Sequence, residues 1–130
     1  MSAAVLPVDL RAAATARALL RGAMAERDGT PCADALVMIS EIVTNAVRYT
    51  RSVLHVSMTV DDLTLRVEVT DDNPVVPTAS AVDLDRTSGR GLQIVDELAD
   101  CWGVVRTQGG KAVWFEISLV EAPASRVAAV

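Results

Sequence analysis

Hydrophobic positions repeat at helical spacing in two stretches near the start of the chain. The first, about Asp9 to Arg27, is rich in Ala, Leu and Arg, and it predicts an amphipathic helix. The second, about Cys32 to Tyr49, contains an apolar stripe at i, i+3, i+7, i+10 and i+11, formed by Leu36, Ile39, Val43, Ala46 and Val47. A stripe with this spacing predicts a helix whose apolar face lies in the core.

Alternation with a period of two follows. The stretches 54–60 and 63–69 each place Leu, Val or Met at every second position, with Asp61 and Asp62 between them, so they predict a β-hairpin with one buried face. Further along, the pattern predicts a helix over Gly91–Leu98 and a second pair of strands, Trp102–Thr107 and Lys111–Val120, joined by a Gly-Gly turn. Residues 72–89 lack periodicity and predict a long loop.

Length and charge narrow the function classes. With 130 residues, 51% of them hydrophobic, the chain predicts a single domain over 1–130, with a core at about 9–120 and a flexible tail at 121–130. A formal charge of −5 argues against direct nucleic-acid binding, which needs clustered Lys and Arg. No apolar run approaches the roughly 20 residues that span a bilayer. We therefore expect a cytoplasmic protein that does not enter a membrane.

The thiols and the single histidine give no sign of a metal centre. Cys32 and Cys101 have neither C-x-x-C spacing nor neighbouring histidines, so we expect reduced, packed thiols rather than a zinc site or a disulfide. His55 falls at an outward position of its predicted strand and is expected on the surface.

A mixed polar face on the second helix is the first candidate site. Glu41 and Asn45 lie four residues apart, with Arg48 nearly one turn further, and the spacing predicts that they project opposite the core stripe. A polar face of this kind is usually just solvated, but Met38 and Ile42 lie on the same side of the helix. An amide oxygen suits Mg²⁺, and a carboxylate one turn away can orient or deprotonate a nucleophile.

Asp71 is the second candidate. It continues the odd-numbered apolar series of its strand, so its carboxylate should point to the buried side, where it needs a partner. One interpretation is structural, an Asx-type turn through Asp72 and Asn73. The other is functional, a hydrogen bond accepted from an exocyclic amino group such as that of adenine.

The third candidate is the segment Thr87-Ser88-Gly89-Arg90-Gly91, which directly precedes a predicted helix. Glycines let backbone amides approach an anion, and a helix N-terminus favours negative charge, so the segment suits a phosphate. A structural cap explains it equally well. The spacing is not that of a Walker A loop, because Lys111 is followed by Ala112.

Taken in order, four segments resemble the GHKL superfamily of ATPases and kinases, and within it the anti-sigma-factor serine/threonine kinases. They are SEIVTNAVRY at 40–49, VEVTDDNP at 67–74, SGRGLQIVDELADCWGV at 88–104 and GGKAVWFEI at 109–117. The resemblance spans roughly Ala16 to Leu119. It implies an α+β fold, a two-layer α/β sandwich in which helices cover one face of a mixed, mostly antiparallel sheet. ATP would lie between the layers, and residues 72–89 would form the lid.

The resemblance also implies residue roles. Asn45 matches the residue that coordinates Mg²⁺, and Glu41 matches the acidic residue that acts as catalytic base. Arg48 would lie near the phosphates. Asp71 matches the aspartate that binds the adenine amino group.

In the lid, Gly89 and Gly91 match the glycines that wrap the triphosphate, and Arg90 would add a charge contact. Two departures stand out. The D-x-G-x-G box of the superfamily lacks both glycines in the segment 71–75, and Ala112 stands where relatives often have a Thr that bonds adenine through water.

Together, the roles implied by the resemblance are those of a serine/threonine protein kinase. Such a kinase would bind Mg-ATP and a sigma factor and would phosphorylate a small antagonist protein. Two alternatives stay open: a non-catalytic, ATP-dependent protein-binding module, and an interaction protein that has lost nucleotide binding. Val113 and Trp114 fall on opposite sides of the last strand, so both faces of the sheet are expected to be partly covered, and a homodimer is one way to cover the second.

Overall fold

The computed structural model describes residues 2–25, 30–50, 52–73 and 90–120. These residues form five strands and three helices: β1 (Ser2–Pro7), α1 (Ala12–Ala23), α2 (Thr30–Tyr49), β2 (Val53–Val60), β3 (Thr64–Asp71), α3 (Arg90–Leu98), β4 (Cys101–Thr107) and β5 (Gly110–Ser118). Of the predicted lid at 72–89, residues 74–89 lie outside the described residues, as does the predicted tail at 121–130.

The strands form one sheet in the order β1-β2-β3-β5-β4. Each of the four pairings is antiparallel, so the predicted α+β sandwich is confirmed, while the expected mixed character of the sheet is absent among the described strands. Two of these pairings, β2–β3 and β4–β5, join strands connected by short turns, which reverse the chain direction.

Alternate side chains of the strands point to one face, on which the helices pack. On this face lie Leu54 and Val56 of β2, Val67 of β3 and Phe115 of β5, all at most 1% exposed. Helix α1 packs over β1 and β2, α2 over β3 and β5, and α3 over β4. Burial of this face supplies the main hydrophobic stabilisation of the fold. None of the described helices is both long enough and apolar enough to cross a bilayer.

The N-terminal part differs from the prediction. Strand β1 precedes the predicted start of the core and pairs along its whole length with β2, from Ser2 opposite Met58 to Pro7 opposite Val53. Helix α1 begins at Ala12 rather than Asp9. The Asp9 carboxylate instead accepts a 2.8 Å hydrogen bond from the Arg11 backbone N–H, a local turn that competes with helix formation.

The second face of the sheet carries half-buried polar and aromatic side chains. Trp114 is half-buried there and carries the Arg66 guanidinium 4.2 Å from its ring centroid, and Arg66 Nη1 donates to Glu116 Oε1 at 2.9 Å. Cys101 is a free, exposed thiol on this face, so the expectation that both thiols are packed is wrong for it. His55 is exposed, as predicted.

Candidate functional site

The two flanks of helix α2 face different neighbours. Ser40 Oγ accepts a 3.1 Å hydrogen bond from Arg17 Nη1 of α1, so this flank of α2 faces α1. Successive residues of an α-helix are about 100° apart, which places Glu41 and Asn45 on the far side of the buried stripe from Ser40. Both are half-buried, as expected for residues at the edge of a packed face.

The buried stripe of α2 is centred differently from the prediction. Met38 and Ile42 are 0% and 4% exposed and belong to it, whereas Leu36 is only half-buried. Glu41 and Asn45 therefore lie beside the core stripe and not opposite it. The sequence pattern allowed either arrangement, because the helix carries apolar residues around more than half of its circumference.

The Asn45 side-chain oxygen is the unusual atom of this helix. Oδ1 is buried and has no hydrogen-bond partner among the described residues. Buried polar atoms are nearly always bonded, and an unsatisfied one costs stability. An amide oxygen held in this way fits a hard cation ligand.

Asp71 ends β3 on the buried side, as the alternation predicted, and its side chain is 3% exposed. Oδ1 accepts a 2.9 Å bond from the Asn73 backbone N–H, so the predicted Asx turn forms. The partner that a buried carboxylate needs is Lys111, whose Nζ lies 3.1 Å from Oδ2 and 3.2 Å from Oδ1. Lys111 Nζ also donates to the Asn73 carbonyl oxygen at 3.0 Å.

Sequence reasoning missed Lys111. The register pairs Asp71 with Lys111 and Thr70 with Ala112, so Ala112 lies on the face of the sheet away from Asp71. Lys111, and not Ala112, is therefore the β5 residue whose side chain meets Asp71. The sequence did indicate the orientation of Lys111. It stands two residues before the buried Val113, so the alternation of the strand places both side chains on the same face of the sheet.

Gly110 brings the two strands together at this point. A Cβ added to it would lie 1.9 Å from the Asp71 backbone oxygen. Only glycine therefore lets β5 begin against the end of β3, and this close approach sets the position of the Asp71–Lys111 pair.

One hydrogen bond ties the end of α2 to the end of β3. Ser52 Oγ, just beyond α2, donates to Asp72 Oδ2 at 2.6 Å. The C-terminal end of α2 and the Asp71 end of β3 thus lie at the same end of the sheet. Asn45 is four residues before the end of α2 at Tyr49, just over one helical turn, so it lies near the end of α2 that this hydrogen bond joins to β3.

The remaining predicted site residues are less informative. Arg48 is exposed on α2. Arg90 and Gly91 form the first turn of α3, which packs against α2, while Gly89 lies outside the described residues. Within the part of the chain that the structure describes, no group of three His, Cys, Asp or Glu side chains could hold a metal ion.

The comparisons decide the family. Residues 6–117 match the model of the histidine kinase-like ATPase domain, a span that includes Glu41, Asn45, Asp71 and Lys111. The chain belongs to this family. The GHKL resemblance is thereby confirmed, and membership in this ATPase family implies nucleotide binding. No curated protein matches the sequence.

Solved structures show the same fold at low sequence identity. The RsbU and RsbW domains of Rv1364c from Mycobacterium tuberculosis match with a TM-score of 0.66 and 22% identity, over 94% of this chain and 34% of that one. The histidine kinase domain of the blue-light activated histidine kinase from Erythrobacter litoralis gives 0.55 and 20%, over 87% and 61%. The histidine kinase AdeS from Acinetobacter baumannii gives 0.56 and 13%, over 93% and 69%. This chain thus spans about a third of the length of the first of these solved chains.

Proposed function

We propose that this histidine kinase-like ATPase domain binds Mg-ATP at the end of the sheet that carries Asp71, with Asn45 as the protein ligand of Mg²⁺. The observation that carries the proposal is the buried Asn45 Oδ1, which has no hydrogen-bond partner among the described residues. A cation would satisfy it. Because no acidic cluster accompanies it in the described segments, the other Mg²⁺ ligands would be phosphate oxygens and water, the usual coordination of Mg²⁺ at nucleotides.

Glu41 gives the site its proposed chemistry. It lies one helical turn before Asn45 on the same flank and is half-buried, so its carboxylate and the Asn45 amide face the same space. We assign it the catalytic role: it accepts the proton of a serine or threonine hydroxyl while that oxygen bonds the γ-phosphorus, and ADP leaves with the electrons of the broken P–O bond. Arg48 and the segment Gly89-Arg90-Gly91 would contact the phosphates.

The partners follow from the same branch of the superfamily. The segment SEIVTNAVRY and the likeness to a structure that includes an RsbW domain support a sigma factor as the bound protein and a small antagonist protein as the phosphate acceptor. Both partners are part of the proposal.

Two measurements test this function in sequence. Calorimetric titration with ATP, with and without Mg²⁺, should show binding that Mg²⁺ strengthens, and Asn45→Ala should lose that dependence on Mg²⁺. Incubation with γ-labelled ATP and candidate antagonist proteins should then transfer label, and Glu41→Gln should abolish transfer while it keeps ATP affinity. Absence of ATP binding would overturn the proposal altogether.

A second candidate, a non-catalytic module whose protein contacts depend on ATP, is favoured by one observation. Both glycines of the D-x-G-x-G box are missing from the segment 71–75. ATP binding without label transfer to any antagonist, and with changed affinity for a sigma factor, would select this candidate.

A further inference from the structure

The proposed base-binding end of the site contains a buried cation. Lys111 is the only lysine in the sequence, and its side chain is 9% exposed. Burying an ammonium group is costly unless it is paired and hydrogen-bonded. Asp71 provides the pairing. If Asp71 served only to form an Asx turn, however, a neutral residue at position 111 would avoid the cost of burying an ammonium group entirely.

The hydrogen bonds of this ammonium group are countable. A lysine ammonium carries three N–H donors and no acceptor. Nζ lies 3.2 Å from Asp71 Oδ1, 3.1 Å from Asp71 Oδ2 and 3.0 Å from the Asn73 carbonyl oxygen. One N–H shared between the two carboxylate oxygens and one donated to Asn73 would leave the third N–H of Lys111 for a ligand, within the described part of the chain.

Together Asp71 and Lys111 present an acceptor and a donor whose atoms are 3.1 Å apart. The Watson–Crick edge of adenine offers the complement, with an amino group that donates at position 6 and, next to it, ring nitrogen N1 that accepts. We propose that Lys111 is a specificity-determining residue of this domain: its third N–H, the one not needed by Asp71 and Asn73, donates to N1 of adenine while Asp71 accepts from the amino group. This inference rests on the proposed function, because it requires the base to bind at Asp71.

The same pair discriminates against 6-oxo purines. Hypoxanthine and guanine carry an oxygen acceptor at position 6 and an N–H donor at position 1, the reverse of adenine. In the same pose, the oxygen would face the Asp71 carboxylate and the N–H would face the ammonium, and both contacts would leave buried groups unsatisfied. Mismatches of this kind are rejected strongly, because the buried polar groups lose their partners.

Calorimetric titration with four nucleotides tests the proposal on the intact chain. ATP is compared with 1-deaza-ATP, which lacks the N1 acceptor, and with 7-deaza-ATP, a matched control that lacks a different ring nitrogen. ITP supplies the reversed donor and acceptor. Wild-type protein should bind 1-deaza-ATP about ten- to a hundredfold more weakly than ATP, as expected for a lost bond to a charged group. It should bind 7-deaza-ATP like ATP and ITP least of all.

The variant Lys111→Met separates a direct contact from an indirect one. It should bind ATP and 1-deaza-ATP with equal affinity, because the donor to N1 is gone. If it weakens both nucleotides and keeps their ratio, Lys111 only positions Asp71 and the proposal is overturned. Should the variant fail to fold, the wild-type comparison still decides: equal affinity for ATP and 1-deaza-ATP overturns this inference while the proposed function stands. A wild-type protein that binds no adenine nucleotide overturns both.

Discussion

Lys111 Nζ lies 3.1 Å from Asp71 Oδ2, and the two side chains are 9% and 3% exposed. The pair joins the first residues of β5 to the last residue of β3 at the end of the sheet where we place the nucleotide. Because both charges are buried, removing either one alone should lower the free energy of unfolding.

The first prediction concerns the stability of this pair. Lys111→Met leaves the Asp71 carboxylate buried and unpaired, so the free energy of unfolding in urea should fall by about 3–5 kcal/mol. The double variant Asp71→Leu with Lys111→Met removes both charges and should recover most of that loss. A single variant as stable as wild type would mean that water, and not Lys111, solvates Asp71.

The second prediction concerns the glycine beneath the pair. Gly110→Ala places a Cβ against the Asp71 backbone oxygen and should lower the free energy of unfolding by about 1–3 kcal/mol. Gly22→Ala in helix α1 is the matched control, since its Cβ would meet no atom within 4 Å. It should raise stability by about 0.5–1 kcal/mol. If the two variants change the melting temperature in the same direction, the close approach of β3 and β5 is wrong.

The third prediction concerns Asn45. Asn45→Leu replaces an unsatisfied buried amide by an apolar group of similar size, so the nucleotide-free protein should gain up to about 1 kcal/mol of unfolding free energy. The stabilisation that Mg-ATP gives the wild-type protein in thermal unfolding should be lost. The exposed neighbour Thr44 serves as the control: Thr44→Ala should change stability by less than about 0.5 kcal/mol and keep the ATP effect. A large loss of stability in Asn45→Leu would show that the amide is structural.

The fourth prediction concerns the exposed thiol on the other face. Desolvation of the Cys101 sulfur, its 3.4 Å hydrogen bond to Glu116 Oε2 and the charges of Glu116 and Asp100 raise the pKa of this thiol, against a lowering by Arg66. A raised pKa leaves less thiolate at a given pH, and the thiolate is the reactive form. Iodoacetamide should therefore alkylate Cys101 more slowly than an unstructured cysteine peptide at pH 8.

A Cys32→Ser background isolates this reaction, and Glu116→Gln tests its cause. Removing the negative charge should lower the pKa of Cys101 and speed alkylation, with the pH midpoint of the rate moved downward. An unchanged midpoint in Glu116→Gln would remove Glu116 as the cause of the shift.

Much of the fold was predictable because its hydrophobic residues recur with a clear strand or helix period. The alternation through Leu54 and Val67 fixed the hairpin and its buried face, and the same parity placed Asp71 on the buried side. Strand β1 was not predictable, because it is an edge strand whose only partner is β2 and it has a single fully buried side chain, Leu6. An edge strand of this kind carries little pattern of its own.

The site was predictable only in part. The motifs drew attention to Glu41, Asn45 and Asp71, and the last of these is buried as expected. The partner of Asp71 was not found, because the register that sets Lys111 opposite it is a tertiary property. A pattern read along one strand does not show which residue of another strand stands across from it.

The most direct test of the account is a Mg-ATP titration followed by amide and side-chain NMR. If the nucleotide binds where we place it, the largest shift changes should fall on Lys111, Asp71 and the Asn45 side-chain amide. Ala112 and the Trp114 indole, which lie on the opposite face of the same strand, should change little. Shift changes centred on that opposite face, or none at saturating Mg-ATP, would contradict the account.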